Sequence, residues 1–92
     1  MQYVYILISL KDKNFYVGMT SNLEVRLKNH NQGKVFSTKN RRPLKLLGYE
    51  VYLTKNEAGM REKYLKTSDG RKEMKIRFKQ SLVNFGLRGD SS

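Results

Sequence analysis

Apolar and polar positions alternate at the start of the chain. Residues 3–9 read Tyr-Val-Tyr-Ile-Leu-Ile-Ser, with Tyr3, Tyr5 and Leu7 on one side and Val4, Ile6 and Ile8 on the other. A period of two in aromatic and β-branched residues predicts a strand, and apolar side chains on both sides predict burial of both its faces. Lys11-Asp12-Lys13-Asn14 is polar and predicts a turn. Phe15-Tyr16-Val17 resumes as a second strand ended by Gly18, and the pair reads as an antiparallel hairpin.

The period then changes. Ser21, with Glu24 three residues on, reads as a capping box, and its helix is expected to run to about Asn31, before Gly33. Leu23 and Leu27 lie one turn apart and mark its buried face; Arg26 and His30, also one turn apart, project from the edge of that face. Residues 32–45 are a basic loop. Residues 46–53 predict a third strand. Thr54-Lys55-Asn56-Glu57 is a second capping box, opening a helix over about 55–66. Thr67-Ser68-Asp69-Gly70 interrupts the pattern, and a last helix is expected over about 71–84, with Met74, Phe78, Leu82 and Phe85 on one face and Gly86 as its stop.

The order is β-β-α-β-α-α. It predicts an α+β fold, a three-stranded, largely antiparallel sheet flanked by helices. Residues 1–86 read as a single domain and 87–92 as a short flexible tail.

Charge narrows the partners. The 92 residues hold 19 Lys and Arg against 8 Asp and Glu, a formal net charge of +11. Such an excess favours a polyanion, with nucleic acid first and DNA the expected form. Lys34, Lys39, Arg41 and Arg42 in the loop, and Arg71, Lys72 and Lys75 on the last helix, are the expected contacts to backbone phosphates. There is no cysteine, which excludes a disulfide framework and a cysteine-based zinc site. No apolar run approaches the ~20 residues of a membrane span, so no membrane role is expected. The first residues carry no basic leader and read as a strand rather than a signal peptide; a cytoplasmic protein is expected.

The motifs bring these parts together. Tyr3-Val4-Tyr5 on the first strand is followed by Tyr16-Val17-Gly18-Met19-Thr20-Ser21-Asn22-Leu23, then Arg26, Leu27 and His30, then Glu57-Ala58 with Arg61-Glu62-Lys63. In this set and order the chain resembles the GIY-YIG nuclease superfamily over nearly its whole length. Within it the chain is similar to short single-domain members related to the N-terminal nuclease module of the excision-repair C subunit. The run Arg61-Glu62-Lys63-Tyr64-Leu65-Lys66-Thr67-Ser68 followed by Gly70-Arg71 carries that likeness. Tyr3 stands where the first motif has its glycine, Val17 replaces an isoleucine, and Met19 stands where many members have lysine or glutamine.

The resemblance implies a metal-dependent endonuclease that hydrolyses phosphodiester bonds in DNA, directed by structure or backbone and linked to repair or recombination. It implies Tyr5, Tyr16, Arg26, His30 and Glu62 as catalytic residues, and one Mg²⁺ or Mn²⁺ per site held by Glu62. The roles suit the residue types. A guanidinium stays charged and forks onto phosphate oxygens. A carboxylate holds a hard cation that keeps several waters. The base is Tyr5 or Tyr16, aided by His30, or His30 itself; a free phenol has a pKa of about 10, which Arg26 and the metal would lower. A homodimer or partner proteins would supply further selectivity. The alternative is a nucleic-acid-binding module that keeps the scaffold without turnover.

Overall fold

The computed structural model describes residues 1–87; the remainder of the expected tail, 88–92, lies outside the described residues. Three strands form one sheet, β1 (Gln2–Ser9), β2 (Phe15–Thr20) and β3 (Leu44–Tyr52). The spatial order is β2-β1-β3, and both pairings are antiparallel. The central position of β1 explains its apolar character on both sides: residues 4–9 are all buried. Gly18 does not end β2. It pairs with Tyr5 in mid-strand, and the strand continues to Thr20.

The two faces of β1 feed two cores. Val4 and Ile6, with Val17, pack on Ala58, Leu65 and Met74. Tyr5 and Leu7 pack with Leu44, Tyr16, Leu23 and Leu27. The first core is covered by α2 (Lys55–Leu65) and α3 (Ser68–Arg77), the second by α1 (Leu23–Asn31).

Caps fix the helix starts. Asn22, and not Ser21, caps α1: its Oδ1 accepts from the Val25 N–H at 3.2 Å. Thr54 caps α2 as expected, accepting from the Glu57 N–H at 3.2 Å, while its hydroxyl lies 2.7 Å from the Glu57 carboxylate. Thr67 caps α3 by accepting from the Gly70 N–H. The segment expected to interrupt the helices is therefore the first turn of α3. The last expected helix is two, α3 and α4 (Lys79–Asn84), joined at Phe78, whose φ of −105° and ψ of +19° leave the helical region. The turn redirects the chain so that Leu82 is buried. Gly86 stops α4 with φ +79°.

Glu50 on β3 ties strand to helices. Its carboxylate accepts from Arg61, Arg77 and Tyr52, and Arg61 also bonds Glu73. Burial pushes the Glu50 carboxyl up, but those three donors outweigh it and hold it at about 2.

Candidate active site

Tyr5 sits at the centre of the sheet and is completely buried. Its ring lies over Gly18 of the neighbouring strand: a Cβ at Gly18 would fall 2.4 Å from the Tyr5 ring and phenol oxygen. The missing side chain lets Tyr5 cross β2. The second motif thus ends in glycine because of close approach and not because a strand stops there.

The Tyr5 oxygen meets two groups from α1. Arg26 Nε donates to it at 3.2 Å, and His30 Nε2 lies 2.8 Å away. Arg26 and His30 are one helical turn apart, so a single helix delivers both. His30 is 1% exposed, and its Nδ1 is 2.7 Å from the buried Thr38 hydroxyl. With Arg26 donating to the phenol oxygen, the phenol O–H matches the bare Nε2 as acceptor, and Nδ1–H donates to Thr38. Tyr16 completes the cluster. Its ring centroid is 5.2 Å from His30 and 6.3 Å from Tyr5, and its hydroxyl accepts from Ser37 at 3.4 Å. Tyr16 is half-buried where Tyr5 is enclosed.

Electrostatics separates the groups. Burial raises the Tyr5 phenol above its ordinary value, and the Arg26 hydrogen bond lowers it by less. The expected lowering by Arg26 is therefore reversed in the protein alone, because the enclosed site disfavours phenolate. The charge of Glu62 on α2 also acts at Tyr5, in the raising direction. The Tyr5 bond first, then the charges of Tyr5 and Tyr16, raise Arg26 and keep it cationic. Burial and then Arg26 push His30 down to about 4, so the imidazole is neutral at pH 7.

A stability effect follows from that value. The unfolded chain takes up the His30 proton near 6.5 and the folded chain only near 4. His30 thus contributes stability that is present above about 6.5 and lost as pH falls through 4, on the order of 2–3 kcal/mol. Urea denaturation at pH 7 and pH 4.5 should show this loss, and His30→Gln should flatten the dependence. A wild-type midpoint unchanged between those pH values would contradict it. Glu50 titrates lower, so its contribution falls away below the same window.

Glu62 is partly buried, with a side-chain exposure of 23%, and its Oε2 accepts from Lys66 Nζ at 3.1 Å. Lys66 is 56% exposed and lies on the same helix, so solvent screens this pair and it yields easily to a stronger cation. Among the described residues no group of three or more His, Cys, Asp or Glu side chains could hold a metal. A carboxylate of this kind still fits a magnesium-type ion that keeps waters and shares the substrate's phosphate.

The expected phosphate contacts divide. Lys34, Lys39, Arg42 and Lys72 are exposed. Arg41 departs from its expected role. Its guanidinium binds Asp12 at 2.5 Å and the carbonyls of Asn14 and Phe15, which anchors the loop to the β1–β2 turn. Arg71 donates to Asn14 Oδ1 and, with Lys75 and Lys13, lines a cleft of about 520 Å³ beside that turn. A smaller cleft is lined by Phe15, Tyr16, Lys66 and Arg71 among others. Tyr3, in place of the motif glycine, packs edge-on against Tyr49 at 5.9 Å.

Thr38 and Ser37 are neighbours of the cluster that sequence reasoning missed. The signal was slight: two small hydroxyl residues inside a run of cations. Thr38→Val keeps the shape and removes the partner of Nδ1. Leaving that N–H unsatisfied should cost about 1–3 kcal/mol of stability. Equal unfolding midpoints for Thr38→Val and wild type would show that the bond carries nothing.

Comparison with known proteins shows the family. Residues 1–77 match the GIY-YIG catalytic domain. The chain is 48% identical over 67 residues to a UPF0213 protein of Clostridium perfringens, covering 72% of this chain and 71% of that one. A UPF0213 protein of Staphylococcus haemolyticus is 41% identical over 75 residues, covering 80% and 90%. The solution structure of a UPF0213 protein from Bacillus halodurans superposes with a TM-score of 0.52 at 35% identity, covering 86% of each chain.

Proposed function

This chain belongs to the GIY-YIG family, and we propose that it is a divalent-metal-dependent endonuclease that hydrolyses phosphodiester bonds in DNA, chosen by structure or backbone and serving repair or recombination. The observation that carries this reading is the enclosed Tyr5–His30–Arg26 cluster with Tyr16 at its open side. Ordinary core packing gives no reason to bury a neutral imidazole between a phenol and a threonine, or to hold an arginine on that phenol.

The residues divide the work. Tyr5 and His30 are positioning residues: their oxygen and nitrogen are taken up by one another, by Arg26 and by Thr38. Arg26 spends Nε on Tyr5, which leaves its two terminal nitrogens to fork onto the non-bridging oxygens of the scissile phosphate. Tyr16 is the phenol a water can reach. Its oxygen takes the proton of the attacking water and gives up its own toward the leaving oxygen, while the new P–O bond forms and the opposite P–O bond breaks. Glu62 would hold the metal, which when bound supplies charge neutralisation at the phosphate and at the leaving oxygen. Lys66, which bonds Glu62 in the free protein, would have to give up that bond. The basic clefts beside Phe15 and Arg71 give the strand a path away from Tyr16.

Metal-dependent cleavage of a panel of branched, flapped and single-stranded DNAs tests the proposal. Cleavage should disappear in Glu62→Ala, and Tyr16→Phe should lower the rate by about 10²–10⁴-fold. Salt-sensitive binding without cleavage across the panel would instead assign a binding module. The rate should show no step near 6.5, since His30 stays neutral down to about 4. A rate governed by a group titrating at 6.5 would place the base elsewhere.

A further inference from the structure

Phe36 is 84% exposed, more than any other large apolar side chain among the described residues. Its backbone is nevertheless held firmly. Val35 before it is buried, and Thr38 after it is completely buried against His30. Ser37 reaches the Tyr16 hydroxyl. The N–H groups of Thr38 and Lys39 both donate to the Val35 carbonyl, closing a turn whose inner residues face the catalytic cluster and whose outer residue is Phe36. Lys39 Nζ lies 5.0 Å from the centroid of the Phe36 ring. Lys34 and Arg42 are exposed on the same loop.

We propose that Phe36 is a stacking platform for one nucleobase of the strand being cut, next to the scissile phosphate, with Lys39 beside it on the sugar-phosphate chain. The inference rests on the nuclease reading and adds a contact to it. Lys39 lies over the ring while most of it stands in water, so a flat face is left for stacking. The cations around it favour a polyanion over an apolar protein patch, and a nucleobase is the flat apolar group that a polyanion presents. Its attachment through Ser37 and Thr38 to the groups around Tyr5 sets the distance from stacked base to reacting phosphate. Stacking accepts any base, which suits a protein expected to choose by structure rather than sequence.

Oligonucleotides with a single 2-aminopurine moved along the strand test this, mixed with the intact protein in EDTA so that no cleavage occurs. Wild type should quench the fluorophore at one position. Phe36→Ala should lose that quenching and bind about ten-fold more weakly or worse, while Phe36→Tyr keeps both. Quenching and affinity unchanged in Phe36→Ala would overturn the platform and leave the nuclease reading standing. A wild type that binds none of the oligonucleotides would remove both. Since the side chain is exposed, the variants should share the wild-type circular dichroism spectrum. A wild-type spectrum with lost quenching assigns the loss to the ring.

Discussion

Arg26→Ala should lower the single-turnover cleavage rate about 10³-fold while DNA affinity changes only a few-fold. The guanidinium is placed before substrate arrives, by a bond to a phenol that is itself fixed by His30 and Gly18. Its terminal nitrogens therefore need little reorganisation to meet the charge that grows on the phosphate oxygens in the transition state. Such a contact acts on rate more than on binding. Arg26→Lys separates charge from geometry: an ammonium keeps the charge but has no Nε to rest on Tyr5 and no fork, so most of the rate should stay lost. Rates at saturating DNA and anisotropy titrations in EDTA supply the two numbers. A variant that only binds more weakly, with its saturated rate intact, would take Arg26 out of the reaction.

Gly70→Ala should be among the most damaging single substitutions for stability. A Cβ there would sit 2.2 Å from the Tyr64 carbonyl oxygen and 2.5 Å from the Leu65 Cα. Both are backbone atoms, so no rotamer change relieves the clash and α3 must move off the end of α2. That movement disturbs Leu65 and Met74, which sit in the core beneath the sheet. Overpacking of this kind costs about 3 kcal/mol, or roughly 10–20 °C in Tm for a domain of this size. Gly59 is the internal control. It lies within α2 with nothing within 4 Å of its would-be Cβ, so Gly59→Ala should gain about 0.5–1 kcal/mol. Thermal unfolding of the two variants should shift in opposite directions. A Gly70→Ala protein that melts with wild type would mean that the helices pack less closely there.

Much of the fold could be read from periodicity because local and global preferences agree in β1 and α2. The errors fell at helix starts, at one break and at Gly18, where β2 was expected to end. Ser21 and Asn22 are both good caps, and one-residue choices of this kind turn on backbone angles that composition does not encode. Phe78 breaks a helix without glycine or proline, under a tertiary demand to bury Leu82. The cluster was legible as a set of residue types in order, through family resemblance. Its internal division of labour was not. Both tyrosines look alike in sequence, and only the register that lays Tyr5 over Gly18 distinguishes the enclosed phenol from the reachable one. Arg41 shows the same limit from the other side: a cation in a basic loop reads as a phosphate contact until Asp12, 29 residues away, claims it.

The chain holds a single histidine, and that histidine is wedged between the phenol that steadies Arg26 and the turn that carries Phe36. Its imidazole nitrogens therefore give uncrowded magnetic resonance signals from the middle of the machinery. A nucleotide settling on the outer loop would pull on Nδ1 through Thr38, and a phosphate held by the Arg26 fork would be felt at Nε2 through Tyr5. One labelled ring would thus read the two arrivals separately, at different nitrogens, before any bond is cut.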